Sequence, residues 1–233
     1  MENTTGNSYN LSIRINSDGF SLSVFDESES LISAQHVSAT LFTLSSEEIV
    51  KIVGAETQLN YHNIKLICES DKYIFIPTPI FTPEKATDFL TFQHKKEKNE
   101  RVVCNTIPAW ETVNTFTIPA TLEQALSRLF PGTSIEHQVS WLLTNKIKPQ
   151  TGNSVSIWVR QKKMDIIALK EGKLQLLNSF NYQTPEDFTY HTLNIIEQLS
   201  LEIEKCKVFI YNVEKKPELK MLLEKYVTTE NSY

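Results

Sequence analysis

Apolar and polar residues alternate with a period of two through Leu11, Ile13 and Ile15. After the turn chemistry of Asn16-Ser17-Asp18-Gly19 the alternation resumes at Phe20, Leu22 and Val24, which predicts a hairpin. Asp26-Glu27-Ser28 marks a second turn, and Leu31 to Val37 supplies a third antiparallel strand. Ser45-Ser46-Glu47-Glu48 then offers a capping box ahead of Ile49, Ile52 and Val53, which share one helical face. Ile64 to Cys68 and Tyr73 to Ile76 are short apolar runs. Thr82-Pro83-Glu84 opens a helix carrying Ala86, Phe89 and Phe92, and Val102 to Ile107 reads as the strand that closes this series.

The same order returns in the second half. Ser154 to Val159 is a strand, Arg160-Gln161-Lys162-Lys163 its polar turn, Asp165 to Leu169 the return, and Glu171-Gly172-Lys173 a turn before Leu174 to Phe180. Thr184-Pro185-Glu186-Asp187 caps a helix that turns Phe188, Ile195 and Leu199 inward. A strand, Lys207 to Tyr211, a helix from Pro217 to about Tyr226, and a short strand near Val227 to Thr229 follow. The offset of roughly 140 residues is far beyond a solenoid period, so the pattern predicts a duplicated α/β domain.

Between the copies, Glu111 to Phe130 predicts a strand and a helix (Leu122, Leu126, Leu129) that stops at Pro131-Gly132, and Ile135 to Asn145 a further short strand and helix. The polar stretch Lys148-Pro149-Gln150-Thr151-Gly152-Asn153 is the expected boundary. Two domains are therefore expected, 1–150 and a shorter 151–233.

Composition narrows the function. The 233 residues are 40% apolar and 22% charged, enough for a sizeable core, and 23 basic against 28 acidic residues give a net charge of −5. That balance argues against a general nucleic-acid binder. Met1 to Asn10 is polar, without the basic start and apolar core of an export signal, and no apolar run reaches the roughly 20 residues of a spanning helix. A cytoplasmic protein is expected. Cys68, Cys104 and Cys206 lie far apart in apolar strands and read as buried thiols.

Motifs for common chemistries are missing. Neither Gly-x-x-x-x-Gly-Lys-Ser/Thr nor Gly-x-Gly-x-x-Gly occurs, nor a Gly-x-Ser-x-Gly elbow. His36, His62, His94, His137 and His191 are scattered without zinc spacing. The run His94 to Arg101 has mixed charge and reads as a solvated helix end. Trp110, Trp141 and Trp158 are assigned to the core or an inter-domain face, and Phe89 and Phe92 to core packing.

The duplicated meander followed by alternating helices and strands resembles the actin-like ATPase fold, two ribonuclease H-like domains facing across a cleft. The opening Leu11-Ser-Ile-Arg-Ile-Asn-Ser-Asp-Gly-Phe-Ser-Leu-Ser-Val-Phe-Asp26, with the second meander, also resembles an uncharacterised Bacteroidetes family of that fold. In active members of the superfamily each first hairpin is a phosphate loop, with an aspartate that manages the metal and a glycine that admits phosphate. Aligned on the strands, the acid's place falls here on Arg14 or Asn16, and on Trp158 or Arg160 in the second copy. No cofactor is thus expected, Mg-ATP being what the resemblance implies for intact loops. A two-metal nuclease is disfavoured by Arg14 and Lys65 on the strands that would carry its acids. Candidate anion contacts are Ser17, Asp18 and Gly19 in the first hairpin and Lys162 and Lys163 in the second. The leading expectation is a non-catalytic binding or scaffold protein that meets a protein partner or itself. The rivals are an atypical nucleotide-binding protein and an RNA-processing accessory protein.

Overall fold

The computed structural model describes residues 9–16, 18–57, 61–149, 151–212 and 216–231. The chain divides into two compact units, Met1–Lys146 and Ile147–Tyr233, the division falling just ahead of the polar stretch around Thr151. In unit 1, β1 (Asn10–Asn16), β2 (Gly19–Phe25) and β3 (Leu31–Ser38) form an antiparallel meander. Helix α1 (Ser46–Glu56) starts at the expected capping box: the Ser45 hydroxyl accepts from the Glu48 N–H, and the Glu48 carboxylate accepts from the Ser45 N–H. Strand β4 (Asn63–Cys68) returns parallel to β1.

Next come β5 (Tyr73–Pro77), α2 (Ala86–Gln93), β6 (Glu100–Ile107), β7 (Thr112–Pro119), α3 (Ala120–Leu129), β8 (Ile135–His137) and α4 (Gln138–Asn145). Here the structure corrects the sequence reading. Val102 to Ile107 does not close the first series: β6 belongs to a separate antiparallel sheet of order β5-β7-β6. The closing strand is the short β8, parallel to β4, so the main sheet has the order β3-β2-β1-β4-β8.

Unit 2 has β9 (Asn153–Val159), β10 (Lys163–Lys170), β11 (Lys173–Asn181), α5 (Pro185–Gln198), β12 (Cys206–Tyr211), α6 (Pro217–Leu223) and β13 (Thr229–Asn231). Its sheet order, β11-β10-β9-β12-β13, repeats that of unit 1 strand for strand, with the last three strands again parallel. The duplication is therefore one of topology as well as pattern.

In each unit the alternating residues of the first strand bury one face. Leu11, Ile13 and Ile15 join Phe20 and Leu22 of β2, Ile49 and Val53 of α1, and Leu122 and Leu126 of α3. Gly54 lets α1 and α3 meet closely, since a Cβ there would stand 3.3 Å from a Leu129 methyl. Val155, Ile157 and Val159 repeat the arrangement with Phe188, Ile195, Leu219 and Leu223. Each such side chain, fully buried, contributes about 1.5–3 kcal/mol.

Two other expectations fail. Phe92, assigned to the core, is 93% exposed, because α2 turns Ala86 and Leu90 inward and these set its buried stripe. Cys104 is exposed on edge strand β6, with its sulfur 3.6 Å from the Thr115 hydroxyl, whereas Cys68 and Cys206 are buried. Trp110, Trp141 and Trp158 are half-buried. Among the described residues, no helix is long and apolar enough to cross a membrane.

Candidate functional site

Strand β1 turns Leu11, Ile13 and Ile15 toward α1 and α3, which leaves Ser12, Arg14 and Asn16 on the opposite face. The Arg14 guanidinium lies over the Trp141 ring of α4, 4.8 Å from its centroid. Such cation–π contacts contribute roughly 0.5–2 kcal/mol. Cross-strand register places Ser21 and Ile67 beside Arg14, His36 beyond Ser21, and Glu136 beyond Ile67. The Ser21 hydroxyl and His36 Nδ1 are 3.1 Å apart. Partial burial raises the pKa of the Glu136 carboxyl, against a smaller opposing pull from Lys65.

At the end of β8, His137 is an N-cap that the sequence did not announce. Its Nδ1 accepts the Val139 N–H at 3.2 Å, and its Nε2 lies 2.9 Å from the Ser70 carbonyl oxygen and 3.4 Å from the Ser70 nitrogen. The ring is only 1% exposed and sits between Tyr73 and Phe116.

In unit 2, Trp158 takes the place of Arg14 and Arg160 that of Asn16. Trp158 is in register with Tyr211 of β12 and stacks on it at 5.9 Å. Arg160 closes the hairpin, its N–H donating to the Lys163 carbonyl at 2.8 Å. Its guanidinium turns inward to Asp165 at 2.6 Å, and the Ser179 hydroxyl donates to the same carboxylate oxygen at 2.6 Å. The Asp165 side chain is wholly buried and that of Arg160 only 11% exposed. The Tyr182 hydroxyl donates to the Arg160 carbonyl at 2.7 Å, the Lys216 ammonium donates to that hydroxyl at 2.8 Å, and Lys216 also reaches the Gln161 carbonyl. The hairpin is thereby tied to β11 and to the start of α6.

The candidate anion contacts belong to one hairpin in each unit. Ser17 lies outside the described residues. Asp18 is exposed in the turn, its N–H accepted by the Asn16 side chain at 3.0 Å and its carbonyl accepting the Ala39 N–H at 3.2 Å. Gly19 has a structural reason: at φ +156° a Cβ would lie 2.2 Å from the Val37 carbonyl oxygen. Lys162 is exposed at the second tip, and Lys163 is half-buried as the first residue of β10. The sequence reading did not single out Asp165, Ser179, Tyr182 or Lys216. The one signal for the first was an acid across a short hairpin from Arg160.

Two sheets of one order, each an antiparallel meander continued by parallel strands, define an actin-like chain built from ribonuclease H-like halves. A protein of Bacteroides thetaiotaomicron VPI-5482 with actin-like ATPase fold and unknown function is similar over 100% of this chain and 94% of its own, at 25% identity and a TM-score of 0.79. The chain belongs to the family described as protein of unknown function (DUF3822), which matches residues 1–229. Weaker likenesses include ethanolamine utilization protein EutJ from Carboxydothermus hydrogenoformans, at 10% identity over 98% of this chain and 86% of the other, with a TM-score of 0.48. An Aquifex aeolicus member of the Ppx/GppA family has 12% identity over 95% and 72% of the two chains, with a TM-score of 0.45. No curated protein matches the sequence.

Proposed function

We propose that this actin-like protein is a non-catalytic binding or scaffold protein that works through contact with another protein and does not turn over Mg-ATP. A cytoplasmic location is part of the same proposal. The observation that carries it is the charge at β1: the place of the superfamily's metal-managing aspartate falls on Arg14 or Asn16, neither of them an acid, and Arg14 is a cation held over Trp141. A guanidinium repels a divalent ion and cannot activate its waters. The corresponding place in unit 2 is an indole stacked on Tyr211, and the next residue inward, Arg160, is neutralised by Asp165. The residues present do not fit the group.

A second reading, phosphate binding without hydrolysis, is favoured by one observation. Lys216, at the start of α6, reaches the Gln161 carbonyl and so brings its ammonium against the hairpin tip that carries Lys162 and Lys163. Phosphate release from Mg-ATP separates catalysis from both readings. The account expects release indistinguishable from buffer. Turnover that Lys162→Ala with Lys163→Ala abolishes would overturn it.

A further inference from the structure

Strand β3 is the longer of the two edge strands of its sheet, eight residues against the three of β8. Among the described residues it pairs only with β2, with a register shift that leaves Ile32 without a partner there, and from Leu31 to His36 each residue is exposed, Leu31 at 57% and Ile32 at 56%. The equivalent edge in unit 2, β11, alternates exposed and half-buried residues and opens with Lys173. An edge strand presents alternate N–H and C=O groups outward, and folded proteins blunt such edges with lysine, proline or inward charges. Strand β3, Leu-Ile-Ser-Ala-Gln-His-Val-Ser, carries none of these.

Charge says what suits it. No lysine or arginine occurs between Arg14 and Lys51, while Asp18, Asp26, Glu27, Glu29, Glu47 and Glu48 all fall in that stretch. Asp18 stands at the Ser38 end of β3, since the Ala39 N–H donates to its carbonyl, and the Asp26–Ser30 turn stands at the Leu31 end. Glu56 flanks the middle, accepting from the Gln35 side chain at 2.6 Å. The edge is an uncharged ladder in an acidic frame. Antiparallel pairing with a second copy brings the acidic turn of each chain beside the Asp18 end of the other, which is repulsive.

We infer that β3 is a docking edge for an extended segment of a partner protein, one with an uncharged, β-branched centre and basic residues at its ends. The segment adds a strand beside β3 through main-chain hydrogen bonds, and its basic ends meet Asp18 at one end of the strand and Glu29 at the other. This deepens the binding-protein reading and rests on it. The probe is a fluorescent peptide, Lys-Lys-Thr-Val-Thr-Ile-Thr-Lys-Lys, with a glutamate-flanked counterpart, each titrated with the full chain by anisotropy. The lysine peptide is expected to bind saturably and at least tenfold more tightly than its counterpart, and to weaken in high salt. Ile32→Lys with Ala34→Lys should cost at least tenfold at an unchanged melting temperature. Asp18→Lys with Glu29→Lys should reverse the preference, a gain that misfolding cannot mimic. Equal binding of both peptides, affinity untouched by the β3 changes, or a dimer in sedimentation that those changes dissociate would each overturn the inference. Absent peptide binding with no phosphate release sinks the docking edge alone, whereas ATP turnover sinks the binding-protein reading.

Discussion

Truncating Asp165 takes a carboxylate from the Arg160 guanidinium in a site where the arginine side chain is only 11% exposed. Breaking a buried pair in this way costs about 3–5 kcal/mol, whereas replacing both partners with apolar residues of similar volume is often neutral. Asp165→Ala is thus expected to lower the urea midpoint by that much stability, and Arg160→Met with Asp165→Leu to restore most of it. Equal losses for the single and double variants would show that the pair has no such role. Gly19→Ala forces a methyl against the Val37 carbonyl oxygen at 2.2 Å, so main chain must shift. A loss of at least about 1 kcal/mol is expected, read as a fall in melting temperature of roughly 2 to 4 °C or more. Glu136 gives a pH test. Its folded pKa is raised, chiefly by burial, above the unfolded value near 4.3, so the protonated form is favoured on folding. Stability contributed by that preference is complete below the unfolded value and is lost as pH rises through the folded one. Glu136→Gln should therefore be more stable than the parent at neutral pH and lose that advantage near pH 4, as urea midpoints would show. An advantage independent of pH would contradict it.

At the scale of elements, what the sequence made legible was local. Period-two alternation located both meanders, and the Ser45–Glu48 capping box and the Thr184 N-cap with Pro185 behind it located α1 and α5 at their first residues. Ser45→Ala and Thr184→Ala are each expected to cost about 1 kcal/mol in thermal unfolding, and no loss from either would remove the cap from the account. Pairing was not legible. Nothing in Val102 to Ile107 says that its partner is β7 rather than β4, because register is settled by residues distant in sequence. The real closing strand, Ile135–His137, is too short to show a period. Phe92 and Cys104 were misplaced for a related reason: a helical spacing or an apolar run does not reveal which side the rest of the fold covers. Asp18 and Lys162 lie in the two hairpin turns, and Gly19 and Lys163 open the strands that follow, but the Arg160–Asp165 pair required the strand register of β9 and β10 to bring it together.

For the whole molecule, two units repeat one sheet order while their first strands differ on the face away from the core. Arg14 is held by an indole and Trp158 by a tyrosine ring, so each copy fills that place with a packing contact. The fold is retained by the cores on the other face, which use the alternate residues of the same strands. This separation explains how an actin-like architecture persists without acids on β1 and β9, and it makes ligand binding the decisive question. The most direct measurement is thermal unfolding of the full chain with and without millimolar Mg-ATP, followed by calorimetric titration. The account predicts no saturable heat and an unchanged midpoint. Ligand at 100 times its dissociation constant would add about 2.7 kcal/mol, or a rise of several degrees at roughly 2 to 4 °C per kcal/mol. Such a rise, dependent on magnesium and lost in Lys162→Ala with Lys163→Ala, would contradict it.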